Sequence, residues 1–153
     1  MRILWLVSFR PIGKSKSNDL FQSIFVDSVK SLNSEVWFSL TQFNEANVKR
    51  FVQKKKIKNF FTNISKKKLP PGKKYSNKIM LEKALDQYIY KGKFDYLVFS
   101  TADIIVPNNL FETLDKINLK NFCGFVYPNT QVINGQLKNT FWPYFGIDLI
   151  IFK

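Results

Sequence analysis

The chain contains no histidine and a single cysteine, Cys123. Its chemistry therefore has to come from carboxylates, hydroxyls and cations. Among the carboxylates, Asp103 has the most informative surroundings. It follows Phe94-Asp95-Tyr96-Leu97-Val98-Phe99, an apolar run too short for a helix and rich in aromatic and β-branched residues, the pattern of a strand buried on both faces. The polar cluster Ser100-Thr101-Ala102-Asp103 ends that run. Pro107 and Asn108-Asn109 then open a helical pattern with Leu110, Phe111, Leu114 and Ile117 on one face, and Asn109 with Glu112 has the spacing of a capping pair. A carboxylate just beyond an inner strand lies where open α/β sheets bind ligands. Such a group can ligate Mg²⁺ or Mn²⁺, which take oxygen donors and often complete their shell with substrate phosphates and water. The plainer alternative is an aspartate that caps a turn.

Three other places hold groups of the right type. Tyr75-Ser76-Asn77-Lys78 stands at the start of a predicted helix, where free backbone N–H groups favour anions and Lys78 adds a cation. Ser8, Phe9, Arg10 and Pro11 follow the first predicted strand, and Thr41, Gln42 and Asn44 follow the second. In a parallel sheet both loops share the carboxyl edge with Asp103. Asp148 is the only acid in the last thirty residues, with Trp142 and Tyr144 nearby in sequence. It can belong to a site or simply precede a strand, and the two aromatics suit either a ligand or the core.

From Tyr75 to Leu114 the sequence resembles the nucleotide-sugar glycosyltransferases of the GT-A fold, of the family-two kind. In that family a buried strand runs into a D-x-D motif, followed by a short apolar piece, a proline and a helix. Asp103 matches the last aspartate of the motif, and Thr101, a poor metal ligand, stands where the first would be. The resemblance implies a donor site formed by Ser8, Arg10, Thr41, Asn77, Lys78, Thr101 and Asp103. It implies a divalent cation, Mg²⁺ or Mn²⁺, on Asp103, and Asp148 as the catalytic base. It further implies a nucleotide-diphosphate sugar as donor and a cell-surface glycan or its lipid-linked precursor as acceptor.

Several chemistries are excluded by composition. Without histidine there is no Ser-His-Asp triad and no histidine metal site, and one cysteine cannot build a zinc site. Neither G-x-G-x-x-G nor G-x-x-x-x-G-K-[ST] occurs; Gly13-Lys14-Ser15 mimics the end of the latter, but Ser8 occupies the position of its first glycine. The lone cysteine suits a reducing compartment, and cytoplasm is the expectation.

The net charge is +13, and twelve Lys and Arg residues fall between Lys49 and Lys78, a span without a single acid. A local positive field of this kind draws phosphates, nucleic acid or an acidic membrane surface. For a transferase it suggests peripheral contact of residues 49–74 with the anionic inner face of a membrane. The alternative function is a basic α/β module without catalytic activity that binds nucleic acid or an anionic surface, with Phe51, Phe60, Phe61 and Tyr75 interleaved among the charges. A third reading is an inactive remnant of the fold.

These groups need a frame to hold them. At 153 residues and 45% hydrophobic the chain is expected to form one α/β domain over residues 1–153, with a mostly parallel, Rossmann-like sheet of the GT-A type flanked by helices. Predicted strands cover Ile3–Phe9, Glu35–Leu40, Asn59–Ile64, the stretch before Asp103 and Asn121–Tyr127. The first helix, capped by Ser17 or Asn18, carries Leu20, Phe21, Ile24, Phe25, Val29 and Leu32 on its apolar face. A second covers Asn47–Lys56. A third, ended by Gly92, has Ile79, Leu81, Ala84, Leu85, Tyr88 and Ile89 inward. Ser65–Lys74, with Pro70-Pro71-Gly72, reads as irregular. Val132–Leu137 reads as a hairpin centred on Asn134-Gly135. The chain stops just after an apolar run, as a terminal strand would, or as the front part of a longer protein would.

Overall fold

The computed structural model describes residues 1–43, 46–64, 77–90, 93–117, 122–125, 129–133, 136–140 and 149–153. Strands and helices alternate through β1 (Arg2–Val7), α1 (Lys16–Lys30), β2 (Glu35–Phe43), α2 (Ala46–Lys54), β3 (Lys58–Ile64), α3 (Asn77–Tyr90), β4 (Tyr96–Ser100) and α4 (Leu110–Lys116). Then come β5 (Phe122–Phe125), the hairpin β6 (Asn129–Ile133) and β7 (Gln136–Thr140), and β8 (Leu149–Phe152). Six strands form one sheet in the order β3-β2-β1-β4-β8-β5. The four strands from β3 to β4 run parallel, with Trp5 level with both Phe38 and Val98. β8 is antiparallel to both its neighbours, so the final apolar run lies inside the sheet rather than at its margin. The expected α/β, mostly parallel sheet is thus what forms.

Both faces of the sheet are covered, which is why its inner strands read as unbroken apolar runs. On one face Ile3, Trp5 and Val7 meet Phe25, Val26 and Val29 of α1, Val48 and Val52 of α2, and Leu110, Phe111 and Leu114 of α4. On the other, Leu4 and Leu6 meet Ala84 of α3, with Phe94 and Leu97. Aromatic rings fasten the first layer at the carboxyl end of β1. Phe9 lies 6.2 Å from Phe25, 6.1 Å from Phe38 and 5.6 Å from Phe51 between ring centroids. Each such pair adds about 0.5–1.5 kcal/mol beyond the burial itself.

The structure corrects several sequence expectations. α1 begins at Lys16 with Ser15 as its cap, whose hydroxyl accepts from the Asn18 N–H at 3.4 Å. Its inner face is Gln22, Phe25, Val26 and Val29, while Leu20 and Phe21 are exposed. The helix is rotated because Gln22 takes an inner position in the first two turns, for a reason given below. In α3 the inward residues are Ala84 and Gln87, and Leu81 and Leu85 face outward. β2 and β3 present hydroxyls to α3. Ser39 Oγ donates to Gln87 Oε1, and Gln87 Nε2 donates to Thr62 Oγ1 at 3.4 Å. A buried polar strip needs polar partners, so the glutamine wins the inward place over leucine. β2 continues to Phe43, which puts Thr41 inside the strand, fully buried, and not in a loop after it. Asn109 makes no side-chain cap on α4; the first-turn bonds run instead from Leu110 N–H to the Pro107 carbonyl and from Thr113 to that of Asn109. Ile117, just past the helix, is exposed. The hairpin strands pair as expected, with Ile133 opposite Gln136. Asn134-Gly135, Gly92, the segment Ser65–Lys74 and the side chains of Ile79, Tyr88 and Ile89 lie outside the described residues.

At the amino edge of the sheet Glu35 receives Lys58 Nζ at 2.7 Å, Trp37 Nε1 at 2.9 Å and, more loosely, Arg2 Nε at 3.6 Å. The Lys58 hydrogen bond, then that of Trp37, holds its carboxyl below the ordinary value of 4.5. A carboxyl lowered by folding stabilises the folded form above its unfolded pKa, and that contribution fades as pH falls through the folded value. Urea midpoints of the native protein and Glu35→Gln should therefore differ near neutrality. The gap should close as the solution is acidified below 4.5; a gap that is constant with pH contradicts this assignment.

Candidate functional site

From β1 the chain steps outward through β2 to β3, then returns across the opposite face by α3 to place β4 on the other side of β1. The strand order reverses between β1 and β4, and in open α/β sheets ligands bind beyond the carboxyl ends of the strands at such a point; here both loops turn to the face on which α1 and α4 pack. Those two loops carry Ser8, Phe9 and Arg10 on one side and Thr101, Ala102 and Asp103 on the other.

Asp103 is turned outward by simple alternation. Ala102, Ile104 and Val106 are buried, whereas Thr101, Asp103 and Ile105 are exposed. Both ends of this short extended segment are tied down. Trp5 Nε1 donates to Ser100 Oγ at 2.8 Å, Ser100 Oγ donates to the Thr101 carbonyl at 2.9 Å, and the Val106 N–H donates to Ser28 Oγ on α1 at 3.1 Å.

Arg10 faces it. Its Nη2 lies 3.5 Å from Asp103 Oδ2, and Nη1 donates to Asn18 Oδ1 at 3.2 Å. The backbone N–H of Arg10 donates to Gln22 Oε1 at 2.5 Å. This bond explains the inward glutamine of α1: it satisfies a main-chain donor in the sharp exit from β1. Gln22 Nε2, by contrast, is buried and finds no acceptor among the described residues. Beyond Arg10, the Gly13 N–H donates to both oxygens of Asp19, at 3.0 and 3.2 Å. Gly13 has φ +87°, a left-handed conformation that a side chain would disfavour. Asn47 Nδ2 donates to the Ile12 carbonyl at 3.2 Å, which links the loop to α2.

The result is a braced pair of loops that present one cation and one carboxylate at the carboxyl edge of the sheet, 64% and 45% exposed respectively. An ion pair this open to solvent adds little to stability, about 0–1 kcal/mol. Its groups can be parted by a ligand at small cost, so that Arg10 is available to an anion and Asp103 to a cation or hydroxyl. One hard oxygen donor does not make a cation site by itself, and no group of three or more acids or cysteines close enough to hold a metal occurs among the described residues. It does suit the arrangement in which one carboxylate and substrate phosphates share Mg²⁺ or Mn²⁺.

The sequence-predicted residues fall as follows. Ser8, Arg10, Thr101 and Asp103 gather at the β1–β4 exit, where Ser8 is half-buried and Thr101 exposed. Thr41 is fully buried inside β2, one residue past the pairing of Val7 with Leu40 and so level with Ser8. Asn77 begins α3. Because only five residues separate the end of α3 from β4, that helix runs back along the sheet and its first residue lies toward the carboxyl edge; the side chains of Asn77 and Lys78 are outside the described set. Asp148 also lies outside it, as do Trp142 and Tyr144, yet the next residue, Leu149, pairs with Ser100. Gln22 and Asn18 were not anticipated. The available signal was a polar residue inside the i, i+3, i+4, i+7 pattern of Gln22, Phe25, Val26 and Val29.

No family model matches the chain. No curated protein matches it in sequence either. Among solved structures the fold matches that of a protein from Desulfovibrio desulfuricans G20 that carries the provisional name nucleotide-diphospho-sugar transferase, with a TM-score of 0.58. The two are 15% identical over an alignment covering 99% of this chain and 62% of the other, so this chain spans less than two thirds of that protein's length. What the two share is the α/β fold.

Proposed function

We propose that the chain binds a nucleotide-diphosphate sugar at the β1–β4 exit and takes part in transfer of the sugar to a hydroxyl acceptor. The observation that carries this reading is the meeting of Arg10 and Asp103, 93 residues apart in sequence, at the point where the strand order reverses. The fold shared with a protein named for nucleotide-diphospho-sugar transfer supports it.

In this reading Arg10 and Lys78 lie against the diphosphate, whose negative charge grows as its bond to the sugar breaks. Asn77, Ser8 and Thr101 line the donor's path. Asp103, together with the donor's phosphate oxygens, would hold a divalent cation, which when bound neutralises the leaving group. The acceptor hydroxyl forms the new bond to the anomeric carbon, and Asp148 takes its proton; the register that sets Leu149 beside Ser100 favours this choice over a more distant acid. Thr41, level with Ser8 on the neighbouring strand, supports that side of the site from within the sheet. The acceptor is a glycan or its lipid-linked precursor. Exposed Lys49, Arg50 and Lys54 on α2 suit contact with an anionic membrane surface.

The test is a thermal-shift panel of nucleotide sugars with Mn²⁺. A ligand at a hundred times its Kd stabilises by about 2.7 kcal/mol, a rise in Tm of at least about 5 °C for a chain of this size. One donor class should give that shift and Asp103→Ala should lack it. No shift with any member of the panel would defeat the proposal.

A further inference from the structure

A cavity of about 250 Å³ lies at the amino edge of the sheet, where β2 and β3 begin and where α1 and α2 end. It is smaller than the roughly 300–1,000 Å³ of drug-sized sites, so it suits a small ligand. Val36, Phe38 and Ile57 give it an apolar floor, and Lys30, Lys56 and Lys58 stand on its rim with Glu35.

The charges do not cancel. Three lysines against one glutamate leave two positive charges. The carboxyl ends of α1 and α2 return about half a negative charge each, so about one positive charge remains. Glu35 is committed to Lys58 at 2.7 Å, and the Lys30 ammonium donates to the Lys55 carbonyl at 3.1 Å. Among the described residues Lys56 has no side-chain hydrogen-bond or ion-pair partner, and its backbone is at φ +53°, the only non-glycine residue there with positive φ. Its position explains the angle. Lys56 N–H bonds the Gln53 carbonyl at 2.9 Å and Ile57 N–H bonds that of Val52 at 3.4 Å, the paired closure of a helix end that normally calls for glycine. A lysine here keeps a left-handed strain that glycine would relieve. Strain held beside a cavity, with a free ammonium to show for it, points to a ligand.

We infer that this cavity binds a small phosphate monoester with a short apolar arm, its phosphate on Lys56 and Lys30 and its arm on Val36 and Ile57. The site stands apart from the β1–β4 exit, at the other end of strands about 20 Å long, and does not depend on the transferase reading.

Isothermal titration with hexyl phosphate should give saturable binding, with inorganic phosphate at least about tenfold weaker and hexanol silent. Vesicles of phosphatidylcholine with and without phosphatidic acid separate the two sources. Binding of the soluble ester alone assigns a free metabolite-sized monoester, and added binding to the phosphatidic acid vesicles that Lys56→Gly loses assigns a lipid phosphate, since the basic face of α2 would hold an anionic vesicle in either variant. Lys56→Gly should move two readouts in opposite directions: Tm without ligand rises by about 2–4 °C, while affinity for hexyl phosphate falls about tenfold. Lys30→Gln should weaken binding without raising Tm. Absence of binding to both ester and vesicles overturns the proposal, and so does unchanged affinity in Lys56→Gly.

Discussion

Asp103→Asn should lower sugar transfer by about 10²–10³-fold while leaving the fold intact. The substitution keeps the size and removes the charge. Placed groups that stabilise developing charge at a reacting centre are worth about 2.7–4 kcal/mol, whereas the exposed pair with Arg10 contributes at most about 1 kcal/mol to folding. The two numbers separate function from stability. The measurement is initial rate with the donor identified in the thermal-shift panel, beside a urea melt of the same sample. A variant that loses activity and about 3 kcal/mol of stability together would make Asp103 a structural residue. A variant that keeps its rate would remove it from the site.

Trp5→Ala should be the most damaging single change to the fold. Trp5 is fully buried at the centre of β1, packs edge-to-face on Phe25 at 5.9 Å, and donates from Nε1 to Ser100. Removing such a side chain costs about 3–5 kcal/mol, a large fraction of the roughly 5–15 kcal/mol that holds a domain together. Trp5→Phe isolates the polar part. It keeps most of the ring and leaves Ser100 Oγ without its donor, for a cost of about 1–3 kcal/mol. In a Ser100→Ala background the same substitution should cost less, and equal costs in both backgrounds would contradict the bond. Since Ser100 also anchors Thr101, Trp5→Phe should weaken donor binding more than an equally destabilising change in α4, such as Leu114→Val.

The sequence pattern made the sheet legible because its inner strands are covered on both faces and so carry unbroken apolar runs. Asp103 was legible for the same reason: a polar cluster after such a run marks a carboxyl edge. Helix faces were harder to read. In α1 and α3 the inward positions go to Gln22 and Gln87, each chosen by a partner far away in sequence, the Arg10 N–H in one case and the hydroxyls of Ser39 and Thr62 in the other. Periodicity alone favours the neighbouring leucines. The length of β2 is set by its pairing with β3, which a local reading stops short at Leu40. The ion pair of Arg10 with Asp103 has no local signature at all, since it exists only because β1 and β4 are neighbours.

The most direct test of the site at the β1–β4 exit is an amide NMR titration with the nucleotide sugar that gives the largest thermal shift. Resonances of residues 8–13 and 101–103 should move most, at a common affinity, and Arg10→Met should weaken that affinity. Largest movements at the amino edge, around Glu35 and Lys58, or an Arg10→Met variant that binds as tightly as the native protein, would contradict donor binding between β1 and β4.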